Sequence, residues 1–196
     1  MKDNVESKCP FGFGNDAASE GAAPTESYAS THQAMAPALS RAKLPELVKE
    51  PIEPGQDNLP TGRCLCGKVS FQVNKPVEKV FANHDAASRR WTGGIALTFM
   101  IRATNTKFNG WGSLVHRQAN EREVHGFCRI CGSSMFVRHL APEMMDGMLS
   151  ISAGTLDSTD GMRLAAETYV DEKPALYSFD GERRMMTGAE VESMFG

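Results

Sequence analysis

The sequence predicts a mainly β domain that follows a polar N-terminal segment. Three observations support this fold class: several short segments carry strand patterning, turn-forming residues separate them, and helical periodicity is scarce. The 196 residues include 18 Gly and 10 Pro, which favours many turns over a helical bundle. Hydrophobic residues make up 41% of the chain, enough for one domain with a buried core.

The predicted strands are short. Residues 68–73 alternate polar and apolar side chains, as a half-buried strand does. Residues 95–103 are rich in Phe, Ile, Leu and Thr and predict the next strand. Residues 108–110 and 111–113 are turn-forming sequences, and residues 124–127 lead into a pair of cysteines. Further strands are predicted at 133–139, 148–153, 167–170 and 175–179.

The two ends of the chain differ from this β region. Thr187-Gly188-Ala189-Glu190 has the form of a helix capping box and predicts a short helix over 188–195. Residues 1–58 are rich in Ala, Ser, Glu and Pro, with few large apolar side chains, which predicts a flexible and mostly irregular arm. The sequence therefore divides into an arm (1–58), a β domain (59–182) and a short C-terminal helical segment (183–196).

Charge and hydropathy exclude several classes of function. The net charge of −3 and the pI near 6.0 argue against a nucleic-acid binder. No apolar run approaches the roughly 18–20 residues that span a bilayer, so no membrane association is expected. The polar start of the chain lacks the apolar core of a secretory signal, which predicts a cytoplasmic location. Exposed strand edges in a small β domain make a homodimer plausible.

Four of the five cysteines form two pairs, each followed by glycine: Cys64-Leu65-Cys66-Gly67 and Cys128-Arg129-Ile130-Cys131-Gly132. In a chain that is not secreted, such pairs indicate a metal site more than disulfides. Four thiolates can hold zinc in a closed tetrahedron, and glycine allows the tight turn that each pair needs. The alternative is four buried free cysteines.

Longer motifs surround these cysteines. They are Gly-Arg-Cys-Leu-Cys-Gly-Lys-Val-Ser-Phe at 62–71, Arg-Arg-Trp-Thr-Gly-Gly at 89–94, Phe-Cys-Arg-Ile-Cys-Gly-Ser-Ser-Met-Phe at 127–136, Ile-Ser-Ala-Gly-Thr-Leu-Asp at 151–157 and Tyr-Val-Asp-Glu-Lys-Pro at 169–174. Together, and in this order over about residues 61–179, they resemble the glutathione-dependent formaldehyde-activating enzyme (GFA) family, also called the CENP-V/GFA domain.

The resemblance implies a β-tent fold of stacked antiparallel sheets and lyase-type chemistry on thiol adducts, within a biosynthetic pathway. It also implies one structural zinc per chain, held by Cys64, Cys66, Cys128 and Cys131. The expected substrate is a small molecule that carries a carboxylate or a thiol adduct.

The chain departs from the family at the second metal site. There the family carries Cys-His-Cys-x-x-Cys just before Arg-Arg, and the matching stretch here is Asn-His-Asp-Ala-Ala-Ser-Arg-Arg at 83–90. Asn83, Asp85 and Ser88 replace the three thiolates, and this set is a poor one for zinc. Two interpretations stay open: a pocket converted to metal-free acid–base chemistry, or residues that only satisfy one another with hydrogen bonds.

In the first interpretation, Asp85 is a base whose pKa burial raises, and His84 is its acid–base partner. The catalytic candidates are Asp85, His84, Arg90 and Ser88, and the substrate-binding candidates are Asn83, Arg89, Trp91 and Tyr169. Glu167 and Tyr177 stand where the resembled family commonly has His and Trp, which suggests a changed ligand. His116 and His139 are expected to face solvent.

The leading functional hypothesis is a small-molecule enzyme that performs lyase-type proton transfer or elimination in a metal-free pocket, with a purely structural zinc. One alternative is a non-catalytic binding module that the zinc holds together. The other is the chemistry of the glutathione–formaldehyde adduct, S-hydroxymethylglutathione.

Overall fold

The computed structural model describes residues 59–195, so the arm predicted over 1–58 lies outside the described residues. The strands are β1 (Thr61–Arg63), β2 (Ser70–Val73), β3 (Lys79–Asn83), β4 (Ala96–Arg102), β5 (Thr106–Asn109), β6 (Leu114–Gln118), β7 (Glu123–Cys128), β8 (Ser134–His139), β9 (Met148–Ser152), β10 (Arg163–Thr168) and β11 (Arg184–Met186). The helices are α1 (Ala86–Thr92) and α2 (Gly188–Phe195). Short 3-10 turns lie at Ala103–Asn105, Trp111–Ser113, Glu143–Met145, Ala153–Thr155 and Val170–Glu172.

The strands form two sheets. The small sheet has the order β1-β2-β5, and the large sheet has the order β11-β10-β3-β4-β9-β8-β7-β6. Neighbouring strands are antiparallel, except that β10 runs parallel to both β3 and β11. This architecture confirms the mainly β fold of stacked sheets.

The main core lies where the two sheets face each other. Phe71 and Phe108 come from the small sheet, and Phe99 and Phe136 come from the large one; all four are buried. The ring centroids of Phe108 and Phe136 are 5.1 Å apart, and those of Phe71 and Phe99 are 6.4 Å apart. Burying large aromatic side chains is a major source of stability, so this cluster holds the sheets together.

The opposite face of the large sheet is more polar. Strand side chains alternate between the two faces of a sheet. The register therefore places on this side Met100 and Val137, which both pair with Ser150, and Glu123, which pairs with His139. We call this the outer face. Its side chains are half-buried or exposed, so it remains accessible to small molecules over part of its area.

Two parts of the predicted element order are wrong. Residues 175–179 form a turn and irregular backbone rather than a strand, because the Tyr177 and Phe179 rings pack against His84 instead of extending a ladder. Phe108 and Asn109, assigned to a turn, complete β5. Helix α1 was not predicted; it has only seven residues and no buried side chain, so it lacks an apolar stripe.

The C-terminal helix lies where its capping box predicts. The Thr187 backbone N–H donates to Glu190 Oε2 at 2.7 Å, and the Glu190 N–H donates to Thr187 Oγ1 at 3.3 Å. This reciprocal pair is the full capping box, which satisfies donors that the first turn leaves free.

Candidate functional site

The four paired cysteines come together where the turn after β1 meets the turn after β7. Their Sγ atoms all lie within 4.8 Å of one another. Cys66 Sγ is 3.5 Å from Cys64 Sγ and 3.8 Å from Cys128 Sγ. A tetrahedral zinc with Zn–S bonds of about 2.3 Å requires S···S edges of about 3.8 Å. The donor set therefore fits a metal such as zinc.

The glycine of each pair has the backbone conformation that the turn requires. Gly67 and Gly132 have φ of 72° and 76°, and their N–H groups donate to the Cys64 and Cys128 carbonyls at 2.9 and 2.8 Å. The Val69 N–H points at Cys64 Sγ at 3.2 Å, as is common around metal thiolates. A zinc bound by all four thiolates would have no open coordination position.

The segment that replaces the family's second metal site begins helix α1. Asp85 is the N-cap of that helix: its Oδ1 accepts from the N–H groups of Ala87 and Ser88, both at 2.9 Å. An aspartate here satisfies free N–H groups and complements the positive end of the helix. Asp85 is thus committed to the start of α1.

Asn83 and Ser88 complete a small hydrogen-bonded set with Asp85. Asn83 Oδ1 accepts from the Asp85 N–H at 3.0 Å, and Asn83 Nδ2 donates to Ser88 Oγ at 3.3 Å. The structure therefore brings these three residues together. These contacts are the ones expected if the three residues only satisfy one another's hydrogen-bonding groups, the second of the two interpretations of this segment.

His84 points away from this set into a buried ionic cluster. Its Nε2 lies 2.8 Å from Glu167 Oε2, and its Nδ1 lies 3.0 Å from the Tyr177 hydroxyl. Lys173 Nζ and Arg183 Nε donate to the Glu167 carboxylate at 2.6 and 2.5 Å. The side chains of His84 and Glu167 are fully buried, so His84 has both ring nitrogens occupied away from solvent.

The charge of Glu167 organises the cluster. Burial raises the pKa of the Glu167 carboxyl, but hydrogen bonds from Lys173, Arg183 and His84 outweigh burial and lower that pKa to about 2. An ionised Glu167 accepts a hydrogen bond, so His84 Nε2 carries a proton, and His84 Nδ1 is hydrogen-bonded to the Tyr177 hydroxyl. His84 therefore contacts both Glu167 and Tyr177, the two residues that differ from those common in the resembled family.

Arg89 and Arg90, adjacent on α1, have different surroundings. Arg89 Nε donates to the His84 carbonyl at 2.9 Å, so it ties the helix to the strand before it. Arg90 is exposed and lines a cleft of about 530 Å³ together with Trp91. Hydroxyl side chains contribute much of the remaining wall: Thr92, Ser133, Ser134, Ser152 and Thr155. One cation among several hydroxyls suits a carboxylate.

Trp91 also contacts the outer face of the large sheet. Its ring centroid lies 4.4 Å from that of His125 and 5.8 Å from that of Phe127, and its carbonyl accepts from Ser134 Oγ at 3.1 Å. The His125 side chain is 17% exposed. An imidazole therefore packs against Trp91, one of the residues that line the cleft.

Tyr169 lies at the end of β10, apart from the cleft. It has a positive φ of 56° and packs beside Ala166 and Met186. Burial, and then the carboxylates of Glu192 and Asp85, raise the pKa of the Tyr169 hydroxyl, which stays protonated at neutral pH. The residues predicted as one site thus occupy four places: the start of α1, the buried cluster, the cleft and the end of β10.

Sequence reasoning missed the titratable residues of the outer face. His139, expected to face solvent, is 18% exposed, and its Nε2 lies 2.8 Å from Ser150 Oγ. Its Nδ1 lies 3.7 Å from Glu123 Oε1. These residues come from three strands, so only the strand register brings them together. The sequence signal for this polar face was the alternation of polar and apolar residues over 123–125 and 148–152.

Comparison with known proteins identifies the family of the chain. No curated protein gives a significant match to the chain. Within residues 59–195, no helix is long and apolar enough to cross a membrane. A family model described as glutathione-dependent formaldehyde-activating enzyme matches residues 59–172, more than half of the chain. The protein therefore belongs to the glutathione-dependent formaldehyde-activating enzyme family.

Proposed function

We propose that the protein is a small-molecule enzyme that performs a lyase-type elimination on an anionic thiol adduct, with a zinc that is purely structural. The observation that carries this proposal is the cleft beside the cysteine cluster, where Arg90 and Trp91 meet a wall of hydroxyl groups. At about 530 Å³ the cleft is large enough for a metabolite-sized ligand. The family match supports the choice of a thiol adduct.

The residues at the cleft supply the parts that such a reaction needs. Arg90 binds a substrate carboxylate and lowers the energy of negative charge that develops beside it. His125, which packs against Trp91 beside the cleft, accepts the proton from the carbon next to that carboxylate. As the C–H bond breaks, the neighbouring C–S bond breaks and the thiolate leaves. Asp85 and Arg89 position α1 and so the three cleft residues on it, Arg90, Trp91 and Thr92.

His84 has a different role from the acid–base partner considered from sequence. It is fully buried, with both ring nitrogens in hydrogen bonds, so it lacks the access that proton transfer to a substrate requires. In this proposal His84 anchors the strand end from which α1 starts.

The test uses S-(1,2-dicarboxyethyl)glutathione, the adduct of glutathione and fumarate, from which elimination releases a free thiol. We expect the wild-type protein to release thiol faster than buffer. Arg90→Met should raise KM, and His125→Gln should lower kcat by about 10²-fold or more, the usual worth of a general base. Arg163→Met, an exposed arginine on β10, is the matched control and should change neither. Thiol release no faster than buffer would contradict the proposal.

The family match favours a second candidate, the glutathione–formaldehyde adduct chemistry itself. The residues at 83, 85 and 88 offer no thiolate, which is the argument against it. Exchange NMR of formaldehyde with glutathione separates the two candidates. Accelerated exchange without elimination would select this second candidate. Inactivity in both assays would select the non-catalytic module.

A further inference from the structure

A second cleft, of about 570 Å³, lies at the other end of the outer face. Its apolar lining includes Phe81, Met100 and Met148 from three adjacent strands. Met100 is 37% exposed, and methionine is an adaptable side chain that suits apolar ligands of varied shape. This cleft shares no lining residue with the one beside the cysteine cluster.

The polar part of the second cleft is basic. Lys75, Lys79 and Arg102 line it, against one carboxylate, Glu78. Cations around an apolar floor favour a ligand that carries both an apolar portion and a negative charge. The chemical class that fits is therefore an amphipathic organic anion.

Ser150 stands beside this floor. It is paired directly opposite Met100 and lies two residues beyond Met148 on the same strand, so all three side chains belong to one face. Side chains directly opposite in an antiparallel pair have Cβ atoms about 4.5–5.5 Å apart. A ligand on the methionine floor would therefore lie next to the Ser150 hydroxyl.

The Ser150 hydroxyl has a base and a carboxylate aligned behind it. His139 Nε2 lies 2.8 Å from Ser150 Oγ, and Glu123 Oε1 lies 3.7 Å from His139 Nδ1. Serine on Nε2 and carboxylate on Nδ1 are the atom roles of a serine hydrolase triad, which recurs on unrelated folds. The carboxylate distance is long for a hydrogen bond, and such contacts often tighten only when substrate binds.

We propose that Ser150, His139 and Glu123 form a nucleophilic site that hydrolyses an ester or thioester of an amphipathic organic anion bound in the second cleft. Burial lowers the pKa of His139, although Glu123 opposes this, which leaves a neutral imidazole able to accept a proton. Arg102, on the cleft wall, supplies a positive charge for the oxyanion that forms.

The reaction balances with water as the only co-reactant. Ser150 Oγ forms a bond to the acyl carbon, its proton passes to His139 Nε2, and the bond to the alcohol or thiol breaks as that group takes the proton. Water then attacks the acyl-enzyme, its proton passes through His139 to Ser150 Oγ, and the carboxylic acid leaves. No group is oxidised or reduced.

The first experiment labels the full-length chain with a fluorophosphonate, which reacts with activated serine hydroxyls. Peptide mapping should place the label on Ser150, and Ser150→Ala should lose at least nine-tenths of it. Ser178→Ala, an exposed serine in a loop, is the control and should label fully. Mapping the wild-type chain gives the answer even where a variant fails to fold. Labelling elsewhere, or none at all, would overturn the proposal.

The second experiment measures hydrolysis of 4-nitrophenyl butyrate and of the 4-nitrophenyl half-ester of glutaric acid. We expect the anionic half-ester to have the lower KM, because of the basic rim. His139→Gln should lower kcat by about 10²–10⁴-fold. Met100→Glu should raise KM for the half-ester, because the new carboxylate repels the anionic substrate from the floor of the cleft. Equal kcat in wild type and His139→Gln would show that the His139–Ser150 contact is only a cross-strand hydrogen bond.

Discussion

At Asp85, the local backbone structure determines the role of the side chain. Its residue type suggests a base, but its Oδ1 accepts the first free N–H groups of α1. We predict that Asp85→Ala lowers the free energy of unfolding by about 1 kcal/mol, the usual worth of an N-cap. Asp85→Asn should stay close to wild type, because asparagine caps as well. Urea unfolding followed by circular dichroism measures both.

The same pair of variants separates capping from catalysis. If Asp85 acts only through the helix, Asp85→Asn keeps thiol release as well as stability. A base would lose its function in Asp85→Asn, since an amide accepts no proton at neutral pH. Asp160→Ala, an exposed aspartate in a turn, is the control for general effects of removing a negative charge. Loss of activity in a fully stable Asp85→Asn would return Asp85 to the catalytic role.

At the scale of elements, Glu167 joins strands β3 and β10 to residues 173–183. It accepts from His84, Lys173 and Arg183, and its side chain is fully buried. Removing one partner from a buried ionic cluster leaves the remaining charges uncompensated, which costs about 3–5 kcal/mol. We predict a loss of that size for Glu167→Gln in urea unfolding. Glu182→Gln, which changes an exposed glutamate next to Arg183, is the control and should change the free energy of unfolding little.

The cluster also predicts an acid dependence of stability. The pKa of Glu167 is about 2 in the folded chain, below the roughly 4.3 of a free glutamate. Between these values the unfolded chain binds more protons than the folded one, so the Glu167 contribution is complete above about pH 4.3 and is lost as pH falls towards 2. Unfolding curves across pH 2–5 should show this slope in wild type. A Glu167→Gln protein with an unchanged slope would contradict the assignment.

Elements with strong patterning could be predicted from sequence, and those that tertiary contacts create could not. The strand at 133–139 and the helix after Thr187 carry local signals and lie close to where those signals place them. Helix α1 begins because Asp85 caps it, and aspartate alone is a weak signal. Ser150 and His139 meet only through the register of two strands, which no local pattern contains.

At the scale of the whole molecule, the cysteine cluster joins parts of the chain far apart in sequence. Cys64 and Cys66 follow β1 of the small sheet, and Cys128 ends β7 of the large sheet. A metal on these thiolates therefore clamps one sheet to the other, next to the aromatic core that they share. Metal binding that needs the folded arrangement adds directly to the free energy of folding.

This arrangement predicts one zinc per chain in protein purified without added metal, measured by elemental mass spectrometry. A strong chelator should lower the melting temperature, because the sheets then depend on their apolar contacts alone. Cys128→Ser should lose the zinc, and Cys9→Ser, which changes the cysteine outside the two pairs, should keep it. Two metals per chain would mean that residues 83–88 also bind an ion. The elimination proposed for the cleft beside them would then give way to metal-assisted chemistry, since a bound metal polarises a substrate more strongly than the hydroxyl and imidazole groups found there.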